Sequence, residues 1–269
     1  MTKEKNALWQ YFTKRAIILG GPALAEDVTD EEVTALMQAV RENLQAKAIY
    51  VETRNFNDFS RWRGAFEKVG FAYKPHLNFH VDCRDKEKMW ERLSDNRRRQ
   101  IKKVREERLV HDADVTEQEI KEWYMILQRL YRTKVRTPLW PVEFFLEVHW
   151  QGVGKFLLVK HNNHVIGGSM IVTDGKCVYE WFECGMNAEY RELYPSVMAT
   201  WAGMQWAHEH DCTRYDMMGA GEPDVPYGVR DFKSEFGGEL VEHGRYLCVL
   251  KPMLYKLGTI GVMILKKHK

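Results

Sequence analysis

The chain is poor in the features that announce a redox, metal-binding or membrane-spanning protein. Its five cysteines are odd in number, stand apart at 83, 177, 184, 212 and 248, and form no CxxC pair. No histidine or cysteine grouping has metal-ligand spacing, so no metal is expected and the thiols read as reduced. The opening Met-Thr-Lys-Glu-Lys-Asn lacks the apolar core of a signal peptide, and no run of about 18 apolar residues occurs. A soluble, cytoplasmic chain is the expectation. The net charge of +2 argues against a bulk polyanion partner, although local clusters remain open. Low-complexity tracts and short repeats are missing as well. What is present is ample core material: 45% of the 269 residues are hydrophobic and 12% aromatic, enough for one large or two modest domains.

Read for periodicity, Arg15 to Leu19 is a strand closed by Gly20-Gly21-Pro22. Thr29 with Glu32 forms a capping box ahead of a helix through Leu44, whose apolar residues recur at helical spacing. Strands over 47–53 and 75–82 flank a helix over 59–69. Lys86–Arg108 and Thr116–Lys134 read as two long helices. Pro138 and Pro141 bracket a loop that marks the expected boundary between domains 1–138 and 139–269. Beyond it come Lys155–Lys160, a His161-Asn162-Asn163-His164 turn, Val165–Thr173, an Asp174-Gly175 turn and Cys177–Cys184. A helix over 196–210 leads to a strand at 214–218. Each half thus shows strands, a helix and further strands, so a mixed α/β fold with two related units is expected.

The segment from Tyr215 to Gly238 concentrates charge and glycine at the end of a strand, where sites are usually built. Lys233 leads the candidates, because a cation there could hold a pyrophosphate or stabilise the oxyanion of an ester under attack. Asp216 could take a proton or orient that lysine, or simply cap a turn. Tyr215, Tyr227, Arg230, Asp231 and Phe232 are candidate substrate contacts. Tyr215 and Asp216 must face opposite ways on a strand, so only one of them can line a cleft.

The pattern Tyr-Asp…Phe-Lys-x-x-Phe-Gly-Gly over Tyr215–Gly238 resembles the closing signature of the Fem family, the peptidoglycan-bridge aminoacyltransferases. The Arg98-Arg99-Gln100-Ile101-Lys102-Lys103 run is similar to an Arg-Arg-Asn-Ile-Lys-Lys run of the same family. The resemblance implies a pair of acetyltransferase-like (GNAT-like) domains, the first of them incomplete here. It also implies amide formation on a UDP- or lipid-linked peptidoglycan precursor, with Lys233 near the precursor phosphates. In ordinary acetyltransferases a glycine-rich loop at a helix start holds the coenzyme A pyrophosphate. Here that position reads Arg191-Glu-Leu-Tyr-Pro195-Ser, so no coenzyme A cofactor is expected and aminoacyl-tRNA is the implied co-substrate.

The helical stretch near 97–108 is strongly basic, with Arg98, Lys102 and Arg105 on one face, open to tRNA phosphates or to solvent alone. Arg97 falls in the apolar stripe of that helix, and a buried arginine calls for a dedicated partner. Arg136 is a weaker precursor contact by the same resemblance. The C-terminal Leu254–Lys269 mixes apolar residues with lysines and could rest on an anionic membrane surface at its inner face, or pack as an ordinary helix. Two rival readings stay open: an acyltransferase acting on another envelope amine, in exopolysaccharide or lipid, and a non-catalytic paralogue that binds an envelope intermediate.

Overall fold

A computed structural model describes residues 14–104, 110–111, 115–135 and 137–267. Two compact units emerge. Of the described residues, one unit comprises those up to 77 with 222–225 and those from 242 on; the other comprises those within 78–221 and 226–241. The boundary expected at Pro138 falls inside the second unit. The reason is a strand: β11 (Arg245–Val249) returns to the first unit's sheet and pairs antiparallel with both β2 (Tyr50–Asn55) and β3 (Ala72–Lys74). With β1 (Arg15–Gly20) parallel to β2, the order is β1-β2-β11-β3.

The first unit's core shows why β11 is indispensable. Tyr246 on β11 stacks on Phe66 with ring centroids 4.1 Å apart, among Val33, Met37, Val51 and Phe71. Helix α1 (Asp30–Leu44) supplies Val33 and Met37 and starts at the expected capping box, with the Glu32 amide donating to Thr29 Oγ1 at 3.2 Å and the Thr29 amide to Glu32 Oε2 at 2.9 Å. A short α2 (Arg63–Lys68) adds Phe66.

The second unit holds a seven-stranded sheet, ordered β10-β4-β9-β8-β7-β6-β5. Its strands are β4 (Leu77–Asp82), β5 (Val110–His111), β6 (Gly154–His161), β7 (His164–Thr173), β8 (Cys177–Gly185), β9 (Arg214–Asp216) and β10 (Glu239–Glu242). The β6–β7 turn is the one the sequence announces. Asn162 and Asn163 have φ of 50° and 62°, the left-handed pair that a tight hairpin needs. From β8 the chain crosses through α7 (Pro195–Glu209) to β9, which pairs parallel with β8. This antiparallel run closed by one parallel crossover is the acetyltransferase-like arrangement.

The expected helix over 86–108 is two: α3 (Lys86–Arg92) and α4 (Asp95–Val104), broken at Leu93-Ser94, with 105–108 outside the described residues. The Ser94 amide leaves the helical ladder to donate to the Glu235 carbonyl at 2.9 Å. The next helix, α5 (Glu117–Leu130), passes into a π-helical turn at Tyr131–Val135. Trp123 on α5 anchors the core here, donating from Nε1 to the Gly168 carbonyl at 2.9 Å and meeting Phe145 of α6 (Val142–Trp150) edge-on.

Candidate functional site

The site is built where β9 ends. Met218 and Gly219 are both left-handed, with φ of 54° and 64°, and Gly221 follows at 80°. Consecutive left-handed residues curl the backbone so that amides and carbonyls project to different sides. On one side Asp216 accepts from the Met218 amide at 2.8 Å and from Asn78 Nδ2 at 2.7 Å, while His80 Nε2 lies 3.1 Å from its other oxygen. Asn78 Oδ1 in turn accepts from the Gly219 amide at 3.1 Å. Asn78 and His80 are two residues apart on β4, so the strand presents both to the same face.

On the other side stands Lys233, carried by α8 (Gly228–Ser234) and only 8% exposed. Its ammonium donates to the carbonyls of Met217, Met218 at 2.6 Å and Gly219 at 2.9 Å. Arg230, one turn earlier, donates from Nε to the Ala220 carbonyl at 2.8 Å. Four consecutive carbonyls are thus held by two cations of one short helix. All three N–H donors of Lys233 are committed to main chain, which corrects the expectation of a lysine facing a cleft. Asp216 is likewise fully buried and bonded, so both residues shape the turn. Burial pulls the Lys233 pKa below its usual value, and the carboxylates of Glu180, Asp216 and Glu183 oppose that shift.

The remaining candidates separate clearly. Tyr215 and Asp216 do face opposite ways, and both are buried. The Tyr215 hydroxyl donates to Glu180 Oε1 at 2.8 Å, and Thr200 of α7 donates to the same oxygen at 2.9 Å. Tyr215 therefore does not line a cleft: its ring tip occupies the space that a Cβ on Gly203 would need. Tyr227 is 43% exposed and its ring lies against Gly221. Asp231 is exposed in the first turn of α8. Phe232 is half-buried under Arg97, whose guanidinium lies 4.6 Å from the Phe232 ring and 5.1 Å from that of Phe236. Arg97 also donates to Gln100 Oε1 at 2.7 Å and stands 3.4 Å from Glu235, its charged partner. Burial lowers its pKa. Arg97 clamps α8 and does not point at a ligand space. Arg136 lies outside the described residues.

The basic face of α4 is largely spent on local structure. Arg98 donates to the carbonyls of Glu91 and Leu93, each at 2.6 Å, and ties to Asp95. Lys103 pairs with Glu192, and Lys102 sits over the Trp90 ring. Arg105 lies outside the described residues.

Two carboxylates that sequence reading passed over belong to this neighbourhood. The register of β7 and β8 shifts at Met170/Ile171, so Trp181 is an extra residue and Glu180 and Glu183 turn to the same face, towards α7. Among the described residues Glu183 Oε1 is buried with no hydrogen-bond partner. Burial, then the adjacent Glu180 charge, pushes its pKa up to about 8. Burial also raises the pKa of Glu180. The signal was available: two acids interrupt an otherwise apolar strand.

At the start of α7, Tyr194 is left-handed and Pro195 opens the helix. The Ser196 amide donates to Asn187 Oδ1 at 3.2 Å. A Cβ on Gly185 would come within 2.7 Å of the Ser196 nitrogen, and one on Gly167 within 2.9 Å of Pro195. The helix start is seated directly on the sheet. A cavity of about 420 Å³ opens beside β4, lined by His80, Asp82, Arg84, Arg92, Gly237, Gly238 and Glu239. Arg84 holds Asp82 in a bidentate pair at 2.8 and 2.7 Å, which keeps that carboxyl well below the usual range. Arg92 also lies 3.7 Å from Asp82, so both arginines share that carboxylate. Among the described residues no histidine, cysteine or carboxylate cluster is arranged to hold a metal ion.

Comparison with known proteins agrees with this topology. Residues 147–260 match the model of the FemAB family. Over 97 residues the chain is 34% identical to the lipid II:glycine glycyltransferase of Staphylococcus saprophyticus, a stretch covering 34% of this chain and 23% of that protein. The fold matches the crystal structure of FemX with a TM-score of 0.68 at 14% identity, over 90% of this chain and 82% of that one. It also matches the C-terminal domain of a putative lysylphosphatidylglycerol synthetase from Agrobacterium fabrum, with a TM-score of 0.61 at 13% identity, over 94% of this chain and 82% of that one. Over residues 147–260 the chain is thus similar to the FemAB family, and its fold is similar to that of FemX.

Proposed function

We propose that this protein is an aminoacyltransferase that forms an amide on a peptidoglycan precursor, with an aminoacyl ester, such as aminoacyl-tRNA, as donor. In that reaction an amine nitrogen of the acceptor bonds to the ester carbonyl carbon, the ester C–O bond breaks, and the proton lost by the amine ends on the leaving hydroxyl. The observation that carries the reading is the match of 147–260 to the FemAB family, a stretch that contains the whole Lys233 brace and the Phe232-Lys233…Gly237-Gly238 signature. The closed start of α7 supports a donor other than acetyl-CoA, because Pro195 offers no amide and Ser196 has spent its own on Asn187. Lys233 and Asp216 act as positioning residues that fix the β9 turn. Tyr227 and Asp231, both exposed beside that turn, are side chains available to a substrate.

The curated relative is matched over 23% of its length, so the acceptor is inferred from the family resemblance alone. The test is a thermal-shift titration with a UDP-linked muropeptide, run beside acetyl-CoA, followed by transfer assays with charged tRNA. Stabilisation by the muropeptide that weakens in Tyr227→Ala supports the reading. A response to acetyl-CoA alone returns the chain to the ordinary acetyltransferases. A muropeptide that binds without any transfer favours the non-catalytic paralogue, a reading consistent with the full commitment of Lys233 to main chain.

A further inference from the structure

From His243 to Lys269 the sequence contains no aspartate or glutamate, and it carries Arg245, Lys251, Lys256, Lys266, Lys267 and Lys269. In a chain whose net charge is only +2, this is a marked local excess of one sign. Most of the stretch is α9 (Pro252–Lys267). One flank of that helix lies on its own unit: the Tyr255 ring meets Tyr50 edge-on at 5.4 Å, and Leu254 and Thr259 are half-buried. The other flank is apolar and faces solvent. Met253 is 80% exposed, Leu257 59% and Ile260 43%. Their spacing of four and then three residues aligns them in one stripe along the helix, with exposed Lys256 at its margin.

We propose that α9 is a membrane-surface helix, lying in the plane of a bilayer that contains anionic lipids, with Met253, Leu257 and Ile260 dipped into the acyl boundary. Three observations select this occupant. The stripe is narrow and shallow, which suits an in-plane helix whose opposite flank stays on the protein. The charge complements anionic headgroups, and the segment offers no carboxylate that those headgroups would repel. A second copy of the chain would bring like-charged lysines together. Among the described residues no helix is long and apolar enough to cross a membrane, so contact at this helix is peripheral. The inference stands apart from the choice of acceptor and donor.

The experiment is cosedimentation of the full chain with phosphatidylcholine vesicles, with and without phosphatidylglycerol, for wild type, Leu257→Glu and Lys256→Glu. Both side chains are exposed, so thermal denaturation should be unchanged in the variants and a lost interaction is not a lost fold. Wild type is expected to bind the anionic vesicles, and the binding to fall as salt rises. Leu257→Glu should weaken it by about tenfold or more, and Lys256→Glu by a smaller factor. No binding to anionic vesicles, or binding unchanged by Leu257→Glu, overturns the proposal. So does a wild-type dimer in solution that Leu257→Glu converts to monomer without affecting vesicle binding, which would assign the stripe to a second copy.

Discussion

Lys233 and Asp216 hold one turn from its two sides: the lysine takes the carbonyls of 217, 218 and 219, and the aspartate takes the amide of 218. Neither contact depends on the identity of the side chains in the turn. Replacing Lys233 by methionine keeps the length of the stem but strands three carbonyls and removes the cation that offsets Glu180 and Asp216. The expected loss is about 3–5 kcal/mol of unfolding free energy, read from denaturant midpoints at neutral pH. A loss below about 1 kcal/mol would mean that solvent reaches these carbonyls and that the brace is dispensable.

Glu183 should make stability depend on pH. Its folded pKa, pushed up to about 8, lies above that of the unfolded chain, so the folded protein keeps a proton that the unfolded chain has already lost. Stability should therefore decline as pH rises from the usual carboxylate range towards about 8, and then level off. Glu183→Gln removes that decline. Urea melts of both proteins across the range should show the variant gaining on wild type as pH rises; parallel curves would place an ionised Glu183 in the fold.

Gly237 tests the glycine pair of the signature. It is left-handed at φ 74°, and a Cβ there would lie 2.3 Å from the Arg92 carbonyl oxygen. Backbone strain and contact with main chain coincide, so Gly237→Ala should cost at least about 2–3 kcal/mol. Gly228→Ala is the control, since a Cβ at that position meets nothing within 4 Å. Equal melting temperatures for the two variants would show that the 237 backbone relaxes freely.

Arg97→Met should separate charge from packing. The variant keeps an apolar stem over Phe232 and Phe236 but loses the Gln100 hydrogen bond and the Glu235 pair. A loss of about 2 kcal/mol is expected, accompanied by faster hydrogen exchange in α8, which Arg97 covers. Unchanged exchange in α8 would confine Arg97 to the stability of α4.

Much of the fold was legible because local chemistry dictated it. Thr29 and Glu32 announced α1, and the adjacent asparagines at 162 and 163 announced the β6–β7 turn. The break at Leu93-Ser94 was hidden, since it is made by a contact with Glu235 far along the chain. The boundary was misplaced for the same reason: Tyr246, Cys248 and Leu250 complete a core whose other buried members precede residue 72. At the site, the residue types of the 215–238 segment were readable but their directions were not. Lys233 looks the same in sequence whether it faces a ligand or three carbonyls. The two acids in β8 were readable as residue types, but the one-residue bulge that turns Glu183 to the face of Glu180 was not.

The return of β11 to the first unit has a consequence for synthesis. β11 pairs with β2 and β3 across most of the chain, whereas β6, β7, β8 and β9 follow one another closely. A ribosome releasing this chain from its N-terminus delivers the second unit's central strands as a continuous block, able to close before translation ends. The first unit, although made earlier, must wait with Phe66 and Phe71 uncovered until Tyr246 emerges. Of the two units, the one made earlier is therefore the one that finishes folding last, and during that interval it is the natural client for a chaperone.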